Sequence, residues 1–127
     1  MNHGHIFFEI QADDVTRGMK FYQTVFGWKF TLQMKEPIEY WQIETGGSRG
    51  GLLKRPAPTP PQGHGTNAFV CSVEVENFDA IAEKIMSNGG QVALEKFPVP
   101  GKCWQGYFID TEGNTFGIFE VDENAGK

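Results

Sequence analysis

Residues 5–30, HIFFEIQADDVTRGMKFYQTVFGWKF, decide how the chain is read. Ile6 to Ile10 is a short β-rich run, and Asp13 and Asp14 follow it with side chains suited to accept from the free N–H groups that open a helix. Val15, Met19, Phe21, Tyr22 and Val25 then fall on one stripe of an amphipathic helix. Phe26 closes that buried stripe, and Gly27 supplies the positive φ at which such helices end. Trp28 to Leu32 reads as the next strand. Phe21, Tyr22 and Phe26 at helical spacing pack the helix onto its sheet and are assigned no other role.

Residues 68–94, AFVCSVEVENFDAIAEKIMSNGGQVAL, spell the same order again. A strand from Ala68 to Val75 leads to the cap Asn77, a helix from Phe78 to Ser87, the pair Gly89 and Gly90, and a strand from Gln91 to Leu94. The offset is constant at 63: Asp14 maps to Asn77 (77 − 14), Gly27 to Gly90 (90 − 27), and Trp41-Gln42 to Trp104-Gln105. Three matches without a gap argue for internal duplication. Each half adds two strands, Glu39 to Thr45 and Gly50 to Leu53 in the first, Trp104 to Ile109 and Thr115 to Val121 in the second. The expected fold is therefore α+β, one domain over residues 1–127 made of two βαβββ modules whose curved mixed sheets enclose a cavity, with the helices outside. Module one covers 4–53 and module two 67–122. A linker over 54–66 carries four Pro and two Gly between Lys54 and Thr66, which excludes a helix or a central strand. The polar tail DENAGK is expected to fray.

The 127 residues are 39% hydrophobic and include 11 Phe, three Trp and three Tyr, enough for a core and for the lining of a small-molecule pocket. A formal charge of −5 with scattered Lys and Arg works against nucleic acid as a partner. No apolar run is long enough for a membrane span and the first residues lack a signal-peptide pattern, so a cytoplasmic protein is expected. Cys71 and Cys103 lack metal-ligand spacing and read as free thiols.

FYQTVFGWKF after Asp14, the helix ending in Gly89-Gly90-Gln91-Val92, and DTEGNTFGIFE near the end resemble the vicinal oxygen chelate superfamily, which includes glyoxalases, bleomycin-resistance proteins, fosfomycin-resistance enzymes and extradiol dioxygenases. The resemblance covers nearly the whole chain and implies the fold more firmly than any one chemistry. Many such members hold a divalent metal on His, Gln or Glu from the first and last strand of each module. The resemblance places those ligands at Phe7, at Val70, at Gly117 and within Gly50, Gly51 and Leu52, none of which offers a donor. The expectation is a site with no metal and no cofactor, serving a small aromatic or cationic ligand between the modules. The alternative is a metal-dependent lyase, isomerase or dioxygenase on displaced ligands such as His3, His5, Glu9 or Glu120. Whether the chain is an enzyme is left open, and a homodimer is expected by likeness to relatives.

The expected ligand-binding residues are Phe7, Glu9, Trp41, Gln42, Trp104 and Gln105. Strict alternation turns Phe7 and Glu9 the same way. A carboxylate beside a ring suits a ligand cation or a general base, which makes Glu9 the first catalytic candidate, with an interstrand hydrogen bond as its structural reading. Trp41 and Trp104 occupy equivalent places and either clamp a planar ligand or pack the core. His64 lies in the linker. TGGSRGGLL, with Arg49, lacks the Lys and the strand-to-helix context of a phosphate loop and is expected to form a flexible rim.

Overall fold

A computed structural model of the chain describes residues 6–58 and 69–127. The chain divides into two compact units, Met1–Pro61 and Gln62–Lys127. The first unit holds β1 (Phe8–Ala12), α1 (Val15–Phe26), β2 (Lys29–Met34), β3 (Tyr40–Glu44) and β4 (Arg49–Lys54). The second holds β5 (Ser72–Glu74), α2 (Phe78–Ser87), β6 (Gln91–Val99), β7 (Cys103–Ile109) and β8 (Thr115–Val121). Both are βαβββ, with sheet orders β1-β4-β3-β2 and β5-β8-β7-β6. In each, the first strand pairs parallel with the last and the other pairs are antiparallel. Each unit is thus one helix layer on a four-stranded mixed sheet, an α+β construction.

The helix boundaries follow from their caps. Asp14 is extended and accepts from Arg17 N at 3.0 Å, and Gly27 takes φ 73° while its N–H returns to Gln23 O. Asn77 accepts from Ala80 N at 3.0 Å. The second helix closes two residues earlier than the repeat implies, at Ser87. Asn88 is its cap and Gly89, not Gly90, takes the left-handed φ of 93°.

Register separates two faces in the first unit. Phe8, Gly50 and Ile43 align across β1, β4 and β3, and so do Ile10, Leu52 and Trp41. This face carries α1. Ile43 and Leu52 are fully buried on it, and Phe8 reaches Trp28, which stacks on Tyr22 at 5.3 Å and on Phe26 at 5.0 Å. The other face, called the open face here, carries Glu9, Gly51 and Gln42 in register. In the second unit Val73, Ile118 and Gly106 align beneath α2, with Phe78 over Gly106. Ser72, Gly117 and Tyr107 align on the open face.

Two expectations are corrected. The tail does not fray: Ala125 is fully buried, its carbonyl accepts from Gly101 N at 3.0 Å, and Asp122 N donates to Lys102 O. Asp122 organises this end by accepting from Asn124 N and Trp104 Nε1, and both bonds hold its carboxyl below the ordinary range. The glycine stretch is not a flexible rim either. Only Thr45 to Ser48 forms a turn, closed by Thr45 Oγ1 donating to Ser48 O and accepting from Gly47 N, and Arg49 already lies in β4.

Gly50 is the residue on which the α1 face depends, because a Cβ there would lie 2.5 Å from Phe8 Cζ. Gly50→Ala is expected to lower unfolding free energy by roughly 1–3 kcal/mol in urea titrations, as overpacking does, and Phe8→Leu in the same chain should recover part of the loss.

Candidate functional site

The open face of the first unit is built around a missing side chain. Gly51 lies in register with Glu9 on β1 and Gln42 on β3, and Tyr40 leans across it. Any Cβ at 51 would collide with the Tyr40 ring. The ring crosses the strand and its hydroxyl donates to Glu9 Oε2 at 2.6 Å, the length of a bond between a hydroxyl and a charged carboxylate. Burial, this hydrogen bond and the Glu9 charge together raise the Tyr40 pKa far above that of a free tyrosine. The phenol therefore keeps its proton near neutrality and acts as a donor, not as a base or nucleophile. Its bond engages one carboxylate oxygen of Glu9 and orients the other. Glu9 is solvent-exposed, as is Phe7, which keeps 53% of its surface in solvent.

Of the six expected residues, alternation and register bring Glu9 and Gln42 to one face of the first sheet, while Phe7 precedes β1 and is exposed. Trp41 sits on the opposite, α1-bearing face, in register with Leu52, and its indole Nε1 donates to Glu39 Oε2 at 2.8 Å. Trp104 likewise lies on the α2 side. Its Nε1 donates to Asp122 Oδ2 at 3.0 Å, and Lys96 Nζ rests 5.1 Å from its ring centre. Neither tryptophan clamps a ligand on an open face, because each indole is tethered to a carboxylate on the helix side. Gln105 is on the open face of the second unit, buried, and its Nε2 donates to Ser72 Oγ at 3.1 Å. Outside those six, the structure adds Tyr40 as the partner of Glu9, and Ser72 and Tyr107 around Gly117.

The metal positions implied by the resemblance do not fit a metal. Phe7 and Val70 bring carbon only. Gly51 and Gly117 are closed over by neighbouring side chains, with Gln105 Nε2 2.7 Å from where a Cβ at 117 would be. Among the displaced candidates, Glu120 Oε1 accepts from Phe78 N at 2.7 Å at the start of α2, and Glu9 is bound by Tyr40. His3, His5 and His64 lie outside the described residues. Among the described residues no three His, Cys, Asp or Glu side chains converge as a metal set. Cys71 and Cys103 are free thiols.

The model of the Glyoxalase/Bleomycin resistance protein/Dioxygenase superfamily matches residues 3–118. The chain belongs to this superfamily. It is similar to a glyoxylase-like domain-containing protein of Didymella fabae, 30% identical over 91% of this chain and 93% of the relative. It is also 22% identical to the putative glyoxylase CFP32 of Mycobacterium bovis, over 93% of this chain and only 46% of that protein. The fosfomycin resistance protein FosX of Listeria monocytogenes shares the fold, with a TM-score of 0.75 at 16% identity over 96% of this chain and 94% of that one. No helix among the described residues is long and apolar enough to cross a membrane.

The Tyr40 shift has a sign that can be checked. A phenol whose pKa is raised on folding stabilises the native state fully below about pH 10 and loses that contribution as pH rises further. Alkaline titration of tyrosinate absorbance, wild type against Tyr40→Phe, should show that the ionisation removed by the substitution lies far above that of a free phenol. Glu9→Gln should return it part of the way toward 10, since burial, the largest cause, remains.

Proposed function

We propose that this superfamily member binds a small organic molecule without a metal, and that Glu9, held by Tyr40 over Gly51, anchors a positively charged or aromatic ligand on the open face of the first unit. The observation that carries this reading is the 2.6 Å bond from Tyr40 to Glu9. It fixes a carboxylate in a place where the resemblance implies metal chemistry, in register through Gly51 with Gln42. A FosX structure that shares the fold contains Mn(II) and 1S,2S-dihydroxypropylphosphonic acid. In this chain the positions at which the resemblance implies metal ligands hold Phe7, Val70, Gly117 and Gly50, Gly51 and Leu52, so recognition falls to side chains acting directly. Two free thiols and an acidic surface suit a cytoplasmic setting, and pairing of two chains belongs to the same proposal.

Magnitudes set what to expect. An exposed ion pair contributes about 0.2–1 kcal/mol, and an exposed cation–π contact adds roughly 0.5–1 kcal/mol. A fragment such as benzylammonium should therefore bind no tighter than about 1 mM, and Glu9→Gln should weaken it about threefold, the loss of an exposed ion pair. An unchanged affinity in Glu9→Gln, read by calorimetry or NMR titration, would remove Glu9 from the account.

Metal content gives the independent check. Tag-free protein purified without chelators and challenged with nickel, zinc, manganese and iron should carry far less than one metal per chain by elemental analysis. Stoichiometric metal that disappears on changing His5 or Glu9 would establish the metal-dependent lyase or dioxygenase reading instead.

A further inference from the structure

Duplication lets one half of the molecule serve as a control for the other. Glu9 and Ser72 are equivalent under the 63-residue offset (72 − 9), and both stand on the first strand of their unit beside a glycine of the last strand. In both, a side chain of the third strand crosses that glycine and bonds to the first strand. Tyr40 reaches Glu9 in one unit and Gln105 reaches Ser72 in the other. The construction is shared and the chemistry differs: an anion with a phenol in one, a hydroxyl with a carboxamide in the other.

Each hydrogen of the second pair can be followed. Gln105 is only 9% exposed, and its Nε2 donates to Ser72 Oγ at 3.1 Å and to Gly106 O at 3.4 Å, which uses both amide protons. Its Oε1 accepts from no described residue. Because no buried polar side-chain atom among the described residues lacks a partner, that oxygen is one that solvent or a ligand still reaches. Ser72 Oγ already accepts from Gln105, so its own proton is available to donate. A free hydroxyl donor therefore sits beside a free carbonyl acceptor. Phe97, in register with Gln105, stacks on Tyr107 with ring centres 6.3 Å apart and forms an apolar wall on the same face.

We infer that the open face of the second unit is a binding site for an uncharged planar amide carried on an aromatic ring. The ligand carbonyl accepts from Ser72, its N–H donates to Gln105 Oε1, and its ring lies against Tyr107 and Phe97. A ligand that covers the Gln105 oxygen without donating to it leaves that acceptor desolvated and unpaired, so such a site rejects isosteres that lack the matching donor and acceptor. The inference rests on the reading that ligands meet the open faces, and it uses groups that the Glu9 anchor does not.

The test is a titration of the full, nitrogen-15-labelled chain with benzamide, following the side-chain NH2 signals of Gln105. Those signals should shift saturably, and Ser72→Ala should weaken binding about fivefold, as the loss of one hydrogen bond does, while the rest of its amide spectrum stays that of a folded chain. Benzoate, which has no N–H to donate, should bind more weakly than benzamide. No benzamide binding, saturation with Gln105 unmoved, equal affinity in Ser72→Ala, or equal affinity for benzoate would each overturn the inference. Benzylammonium separates the two proposals: it should leave Gln105 unmoved, and its failure to bind beside a successful benzamide titration would overturn only the role of Glu9.

Discussion

Two adjacent glycines in an interior strand set the arrangement of the first unit. β4 lies between β1 and β3, so side chains on both of its faces would meet neighbours at once. Gly50 turns one empty position toward α1 and Gly51 turns the next one away. Phe8 fills the first space and Tyr40 the second. Glycine in a strand ordinarily weakens it through entropy and lost packing, and it persists where something must approach the backbone closely. Here two aromatic rings make that approach from opposite sides. One seats the helix layer and the other places a hydroxyl on Glu9. The second unit spaces the same device over two strands, with Phe78 over Gly106 on the helix side and Ser72 with Gln105 over Gly117 on the open side.

The tryptophans show how this device separates structure from candidate chemistry. Both lie on helix-bearing faces with their indole N–H groups spent on Glu39 and Asp122. Those bonds satisfy a donor that burial would otherwise leave costly, and the Asp122 bond also ties β7 to the docked tail. The open faces are left to smaller polar side chains and to Tyr40, Tyr107 and Phe97. Symmetry-related aromatics are thus a mark of the duplicated scaffold, whereas the two residues at the Glu9 and Ser72 positions differ in charge and in what they can bind.

The caps, helices and repeat were legible in the sequence because each is written locally. Asp14 and Asn77 stand next to the helices they cap, and hydrophobic spacing reports the buried stripe without knowledge of the sheet. The candidate site is not local. Glu9 meets Tyr40 across 31 positions of sequence only because β4 runs parallel to β1 and antiparallel to β3 in one particular register. Alternation within one strand gives no way to phase β3 against β1, so it does not tell that Trp41 faces α1 while Tyr40 and Gln42 face away. A single residue of phase exchanges Trp41 for Tyr40 and Gln42. The fraying tail failed on similar grounds: Ala125 is buried by a bond to Gly101 that no run of polar residues announces.

The positions at which the resemblance implies metal donors and the side-chain bonds that cross them are physically coupled in this chain. A metal ligand must project from the strand into space that stays clear for the ion and its remaining partners. Where the ligand positions are glycines, that space is open to whichever neighbours can reach it, and Tyr40 in one unit and Gln105 with Ser72 in the other have moved in. Each incoming group brings hydrogen-bonding capacity that must itself be satisfied, and the pairs Tyr40–Glu9 and Gln105–Ser72 satisfy it across strands. A single substitution therefore does not place a donor there, since a carboxylate at Gly51 or Gly117 would meet a ring or an amide already in place. Under the proposed reading, recognition depends on which hydrogen bonds those pairs leave open, an anionic oxygen in the first unit and a neutral donor and acceptor in the second.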